Sequence, residues 1–144
     1  MASSFRFLDD IALADLAFEA EGDSVEELLR AATRALLETL ADPETVAETW
    51  ERRITKAEDD PADLLFEWLS DIVYWKDAAG VVFHDAELFV RQEGSAWTLE
   101  AVLRGASVDQ TEQTLRNDVK GITKHLYDVK QDGTRWYARV VVDV

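Results

Sequence analysis

The final stretch of the chain, Trp136 to Val144, is the feature that most restricts how this protein can fold. The run W-Y-A-R-V-V-V-D-V is rich in β-branched and aromatic residues, contains no Gly or Pro, and follows the turn signal Q-D-G-T. Chain ends this apolar are seldom loose, so the sequence predicts a strand inside a sheet. The strand ends in Asp143, which places acidic groups at one end of that sheet. A solvated strand end and a ligand site both fit this pattern.

Length and composition predict a single domain spanning residues 1–144. A chain of 144 residues can bury about 70% of the surface that it exposes when unfolded. The chain contains no Cys, which excludes disulfides, thiol nucleophiles and thiolate metal sites. No apolar run approaches the ~18 residues of a membrane helix, and M-A-S-S-F-R is unlike the start of a secretion signal. We therefore expect a cytoplasmic protein that does not enter membranes.

The formal net charge of −15 restricts the partners of the chain. Phosphate backbones would repel such a protein, so we expect no direct binding of nucleic acid. A cation and a basic protein surface are the partners that suit this charge. Acidity that serves only solubility is the alternative.

Two strands and a helix are predicted in the first part of the chain. Phe5 to Leu8 and the alternating stretch Leu13 to Glu21 suit strands, and the acidic pair Asp9 and Asp10 lies between them. Asp15 is an acid at the start of the second strand. Ser24 suits the N-cap of a helix with Glu27 as its capping-box partner, and this helix should end near Asp42-Pro43.

A strand and a second helix follow. Thr45 to Glu58 is predicted as an amphipathic strand, because basic side chains are interleaved with its apolar positions, and this pattern also suits a sheet edge. Asp60-Pro61 is a typical helix start, with Asp as the N-cap and Pro at the first helical position. This helix has a broad apolar face, and Asp71 lies at the border of that face. An acid there either reaches water, which is the default, or points into a site.

The rest of the chain predicts more strands. Val81 to Gln92 and Ala96 to Arg104 suit a hairpin around E-G-S, residues 105–118 suit a long connection, and Val119 to Lys130 suits a strand that pairs with the terminal one. The predicted fold is α+β, a two-layer sandwich in which two main helices pack on a largely antiparallel or mixed sheet.

Carboxylates at strand ends are the candidate functional groups. The two histidines, His84 and His125, have no metal partner at a recognisable spacing. The acids Asp9, Asp10, Asp15 and Asp143 would repel one another if folding brought them together, unless a cation neutralised them. Ligation by oxygen alone favours a hard ion such as Ca²⁺ or Mg²⁺.

Several motifs resemble those of the archease family. F-L-D-D-I-A-L-A-D at Phe7 to Asp15 is similar to the family's opening F-L-D-H-T-A-D. The stretch L-L-F-E-W-L at Leu64 to Leu69 matches a helix motif of the family. The family closes with V-K-A-I-T-x-H and V-V-L-D-I, which here are V-K-G-I-T-K-H at Val119 to His125 and V-V-V-D-V at Val140 to Val144.

The resemblance implies a set of site residues. In the family, two aspartates and the final residue hold a divalent metal, and the matching positions are Asp15, Asp143 and Val144. Calcium is the expected ion, with magnesium and manganese as alternatives. Lys120 and Asp71 match positions expected to contact a partner or nucleotide.

The match departs from the family pattern near the first aspartate. This chain has two extra residues before Asp15, and Ala12 and Leu13 stand where the family has His and Thr. An aromatic residue is also common in the family where Lys124 stands.

The resemblance also implies a function. Archease assists the RtcB-type RNA ligase: it accelerates guanylylation of the ligase and allows multiple turnover in tRNA splicing and RNA repair. The chain is then a protein cofactor and not an enzyme. Two alternatives are a chaperone or modulator of another nucleic-acid-modifying enzyme, such as a methyltransferase, and a stand-alone metal-dependent hydrolase that uses Asp15 and Asp143.

Overall fold

A computed structural model describes residues 3–8 and 15–144 of the chain. These described residues form two long helices, a short 3₁₀ helix and seven strands. In chain order the elements are β1 (Ser4–Leu8), β2 (Asp15–Gly22), α1 (Val25–Leu40), the 3₁₀ helix (Pro43–Thr45), β3 (Trp50–Glu58), α2 (Pro61–Ala79), β4 (Val81–Glu93), β5 (Ala96–Ser107), β6 (Gly121–Asp132) and β7 (Arg135–Asp143).

The strands form two antiparallel sheets. The four-stranded sheet has the order β1-β2-β7-β6, and the three-stranded sheet has the order β3-β5-β4. The terminal strand β7 is central in its sheet, because β2 pairs with one of its edges and β6 with the other. Residues from the start and the end of the chain therefore meet in one sheet.

Both helices begin at the predicted capping residues. Ser24 Oγ accepts a hydrogen bond from the Glu27 amide at 3.1 Å, and Asp60 accepts one from the Asp63 amide at 2.8 Å. The Glu27 side chain accepts from the Asp23 amide rather than from that of Ser24, which is a variation on the usual capping box. Helix α2 ends at Ala79 and is capped by Gly80, whose φ of 63° suits a residue without a Cβ.

The hydrophobic core lies between the helices and the sheets. Trp68 of α2 is fully buried, and its indole N–H donates to Thr33 of α1 at 2.8 Å. Phe18 of β2 and Val140 of β7 belong to the same core, which fixes the face of the four-stranded sheet that the helices cover. The opposite face of this sheet contains the alternate residues of β2 and β7.

The predicted fold class and the order of elements are confirmed. The strands divide between two sheets, which the alternation of side chains does not show. Helix α1 ends at Leu40, before Asp42-Pro43, and the predicted strand from Thr45 begins only at Trp50. The predicted connection 105–118 is displaced to residues 108–120, because β5 continues to Ser107 and β6 begins at Gly121 instead of Val119.

Some predictions cannot be compared with the structure. The acidic pair Asp9 and Asp10, and the departures at Ala12 and Leu13, lie outside the described residues. Within residues 3–8 and 15–144, no helix is long and apolar enough to cross a membrane.

Candidate metal and partner site at one end of the four-stranded sheet

The two aspartates singled out by the sequence occupy neighbouring strands in direct register. Asp15, the first residue of β2, is paired with Asp143, the last residue of β7. Directly opposed residues of an antiparallel pair have Cβ atoms about 4.5–5.5 Å apart and lie on the same face. Asp15 is half-buried and Asp143 is exposed. The fold therefore brings together two acids from opposite ends of the chain.

The other edge of β7 adds the segment before β6 to this sheet end. Gly121 is paired with Asp143, and the Lys120 amide donates a hydrogen bond of 2.7 Å to the Asp143 carbonyl. The side chain of Val144 is half-buried and packs against the hydrophobic core, which holds the residue after Asp143 in place. Asp15, Asp143, Val144 and the main chain of Lys120 thus lie at one end of the four-stranded sheet.

Lys120 itself is exposed at this sheet end. A structural ion pair is the simplest role for a lysine beside acids. Among the described residues, however, the Lys120 ammonium forms no ion pair within 4.0 Å. Its charge still acts on a neighbour. The Lys76 ammonium, which hydrogen-bonds the Asp118 carboxylate, holds the pKa of Asp118 below its usual range, and Lys120 adds a smaller effect in the same direction.

A buried lysine from α2 positions the segment that carries Lys120. The Lys76 ammonium is 2.7 Å from Asp118 Oδ1, 2.7 Å from Asp77 Oδ1 and 2.6 Å from the Val119 carbonyl oxygen. Burial by itself would lower the pKa of Lys76, but the hydrogen bonds to Asp118 and Asp77 outweigh it and raise the pKa. All three N–H donors of this ammonium therefore have an acceptor.

Lys76 was not identified as a structural residue from the sequence. A signal was present, because Lys76 follows Ile72 by four positions and so continues the apolar stripe of α2. A cation on an apolar stripe indicates a buried ion pair, since a charge is seldom buried without partners.

Asp71 does not share the surroundings of Asp15 and Asp143 in the four-stranded sheet. Its carboxylate pairs with Lys56 of β3 at 3.0 Å, and β3 belongs to the three-stranded sheet. Asp71 therefore already has a cationic partner, and its role in contacting a partner protein stays a prediction.

The strand that follows Lys120 is irregular. The pairing of β6 with β7 shifts between Thr123 and Asp128, and Leu126 adopts a φ of 55° in the left-handed region. Within this bulge the Lys124 ammonium lies 3.8 Å from the centroid of the Phe66 ring. A cation–π contact thus occupies the position where the archease motif commonly has an aromatic residue.

The donor atoms at the sheet end suit a hard cation. Among the described residues, the ligating side chains at this sheet end are the carboxylates of Asp15 and Asp143, and main-chain oxygens are the other possible donors. Oxygen ligands of this kind favour Ca²⁺, Mg²⁺ or Mn²⁺ over ions that prefer sulfur or imidazole. Two opposed like charges destabilise a strand pair, so a cation bound between Asp15 and Asp143 would stabilise this pair.

Comparison with known proteins identifies the family. The model of the archease protein family matches residues 5–144. This chain belongs to the archease family. The archease of Methanopyrus kandleri is 31% identical over 131 residues, which cover 91% of this chain and 94% of that protein. The archease of Methanothermobacter thermautotrophicus is 26% identical over 140 residues, with 97% and 98% covered.

Solved structures of this family have the same fold. The solution structure of Methanobacterium thermoautotrophicum protein 1598 superposes with a TM-score of 0.80 at 25% identity, covering 97% of this chain and 98% of that one. The crystal structure of a Thermotoga maritima archease, described as a possible chaperone, gives a TM-score of 0.64 at 23% identity, with 96% and 98% covered. The archease fold therefore extends over almost the whole chain.

Proposed function

We propose that this archease-family chain is a protein cofactor that activates an RtcB-type RNA ligase. It would promote guanylylation of the ligase and allow multiple turnover, while the ligase performs the chemistry. Membership of the archease family supports this role, and the Thermotoga maritima relative is described as a possible chaperone. We also propose that the protein acts in the cytoplasm.

The direct register of Asp15 and Asp143 is the observation on which the proposed mechanism rests. A divalent cation, calcium in the first instance, would be held by these two carboxylates and a main-chain oxygen of Val144. When bound, the cation supplies positive charge that offsets the repulsion between the carboxylates. The two aspartates hold and orient this charge at the sheet end, and the exposed Lys120 adds a second positive group beside it.

The charge of the whole chain favours a protein partner over RNA. With a net charge of −15, the chain would be attracted to the cationic surface of a protein that binds phosphates. A groove of about 630 Å³ lies along the same face of the four-stranded sheet as Asp15 and Asp143. Its lining includes Arg6 of β1, Glu19 of β2, and Lys130 and Arg139 of β6 and β7. This face is the surface that we propose for the ligase contact, with Asp71 as a further contact residue.

A guanylylation assay tests the proposal. An RtcB-type ligase from the same source is incubated with GTP, Mn²⁺ or Mg²⁺, and increasing amounts of this protein, and the covalent ligase–GMP adduct is measured over time. We expect faster guanylylation and multiple ligation turnovers in the presence of the protein. Equal rates with and without it would contradict the proposed function.

Matched variants connect the activity to the site. Asp15→Asn and Asp143→Asn should abolish the stimulation, whereas Glu100→Gln should preserve it. Glu100 is an exposed acid on β5 of the other sheet, so its replacement removes the same charge at a distance from the site. Equal loss in all three variants would mean that the net charge matters and the site does not. Hydrolysis of model phosphoesters by the protein alone would favour the hydrolase alternative.

A further inference from the structure

Three side chains that can bind a metal ion converge at the three-stranded sheet, although their spacing in the sequence does not predict a metal site. Glu48 precedes β3, and His84 and Asp85 belong to the first half of β4. One ligand atom of each residue lies within 4.8 Å of those of the other two. Glu48 is exposed, while His84 and Asp85 are half-buried. This cluster combines one imidazole nitrogen with two carboxylates, unlike the oxygen-only site at Asp15 and Asp143.

The imidazole of His84 is oriented as in a metal ligand. Its Nδ1 lies 2.8 Å from the carbonyl oxygen of Pro43, which can only accept a hydrogen bond, so Nδ1 must donate. In the neutral ring Nε2 then has a free lone pair, and this atom is 4.0 Å from Glu48 Oε1. Metal-binding histidines typically donate their other N–H to a carbonyl or carboxylate in this way.

Asp85 contributes a buried oxygen without a hydrogen-bond donor. Its Oδ1 has an accessible area below 1 Å² and no hydrogen-bond partner among the described residues. Arg104 lies 3.7 Å away, but its guanidinium donates to Glu87 at 2.9 Å and to Glu51 at 3.2 Å instead. The ion pair with Arg104 offsets part of the cost of this buried oxygen, and a cation bound to Asp85 would supply the close contact that it lacks.

A β-bulge brings His84 and Asp85 to the same side. In a regular strand successive side chains point to opposite faces, but the register of β4 with β5 shifts between Phe83 and Asp85 and leaves His84 as the extra residue. Gly105 of β5 permits this close approach, because a Cβ at this position would lie 2.0 Å from the Val82 carbonyl oxygen.

We propose that Glu48, His84 and Asp85 bind a divalent transition-metal ion such as Zn²⁺. Imidazole ligation favours zinc, iron, nickel or copper over calcium and magnesium, and three protein ligands leave a coordination position open for water or a further ligand. Zinc–ligand distances of about 2.0–2.2 Å require the three side chains to move closer together. The exposed side chain of Glu48 can make most of this movement. This site is separate from the carboxylate pair and does not depend on the proposed function.

Zinc titration of the metal-free protein tests this site. Chelator-treated protein is titrated with Zn²⁺ by calorimetry, and Co²⁺ is used in parallel because its visible spectrum distinguishes a protein-bound ion of low coordination number from the aqueous ion. The variants are His84→Gln, Asp85→Asn and Glu48→Gln, with His125→Gln as the matched control, since His125 is the other histidine of the chain and is exposed on β6. Asp143→Asn removes a ligand of the carboxylate site.

We expect one equivalent of Zn²⁺ to bind the wild type, His125→Gln and Asp143→Asn with similar affinity. His84→Gln should weaken this binding at least about tenfold and remove the Co²⁺ spectrum, because even lesser changes around a metal ligand cost that much. Melting temperatures in EDTA show whether each variant folds, and the exposed Glu48→Gln supplies the test if His84→Gln does not. No binding, equal weakening in His84→Gln and His125→Gln, or loss in Asp143→Asn would overturn the proposal.

Discussion

Replacement of Lys76 by Met tests how the segment carrying Lys120 is held. The side chain of Lys76 is only 9% exposed, and its ammonium donates to the main chain at Val119 and to two carboxylates. Met retains most of the apolar contacts of the lysine stem, so the substitution mainly removes the charged hydrogen bonds. The segment from Asp118 to Lys120 should then lose its attachment to α2.

The loss of the Val119 hydrogen bond determines the size of the effect. Val119 is fully buried, so its carbonyl would have no donor, which costs about 1–3 kcal/mol. The side chains of Asp118 and Asp77 are 80% and 63% exposed, so water can solvate both carboxylates in the variant. Their contribution to the loss of stability is therefore small. We expect Lys76→Met to lower the free energy of unfolding by about 2 kcal/mol, close to the middle of that range. For a domain of this size this corresponds to a fall in melting temperature of about 6 °C.

The pH dependence of this difference follows from the two shifted pKa values. The pKa of Asp118 is lowered from 3.8, so its stabilisation is complete above pH 3.8 and is lost as the pH falls through the folded-state value. The pKa of Lys76 is raised from 10.5, so its stabilisation is complete below pH 10.5 and is lost as the pH rises through the folded-state value. The difference between wild type and Lys76→Met should be constant between these limits and smaller outside them.

Urea unfolding monitored by tryptophan fluorescence provides the measurement. Lys56→Met is the matched control, because among the described residues Lys56 pairs with a single carboxylate, Asp71, and donates to no main-chain oxygen. It should cost at most about 1 kcal/mol, as expected for a partly exposed ion pair. A Lys76→Met protein as stable as Lys56→Met would refute this account of Lys76.

Three further predictions concern the sheet end and the net charge of the chain. Calcium at a hundredfold excess over its Kd should stabilise the wild type by ~2.7 kcal/mol, as measured by calorimetry. Without metal, Asp143→Asn should be no less stable than the wild type, and with calcium it should lose most of this stabilisation. Retained stabilisation in both Asp143→Asn and Asp15→Asn would place the ion elsewhere. Lys120→Ala should abolish ligase stimulation with little change in melting temperature, because Lys120 is exposed. If stimulation and melting temperature fall together, Lys120 has a structural role instead. RNA should not be retained in gel-shift assays at physiological salt, and a stable complex would contradict the argument from charge.

The sequence was sufficient for features that depend on local interactions. Ser24 and Asp60 were identified as helix caps because a cap needs only a short side chain within the next turn. The alternation of the terminal run predicted β7, and the archease motifs indicated Asp15 and Asp143. The register that places these two residues opposite each other depends on pairing between distant strands, which spacing in the sequence does not encode.

Other features could not be predicted because they depend on irregular strands. The bulge in β4 decides whether His84 and Asp85 share a side, and the bulge in β6 decides where Leu126 and its neighbours point. A bulge changes the alternation by one residue and leaves little trace in hydrophobicity. The division into two sheets could not be predicted for a similar reason. The alternation of side chains in a strand shows that one face is buried, but it does not show which strands pair.

The central position of β7 also affects how the protein is made. On the ribosome, β2 and α1 emerge early, but β7, the neighbour that completes the pairing of β2, is synthesised after the other six described strands. Until then, β2 and β6 each present a strand edge that β7 will later cover, and such edges are sites of aggregation. The four-stranded sheet must therefore close after translation of the domain, through contacts between distant residues that slow folding. A truncation within β7 would leave a protein that cannot complete this sheet, so nascent chains shortened there should be recovered as aggregates.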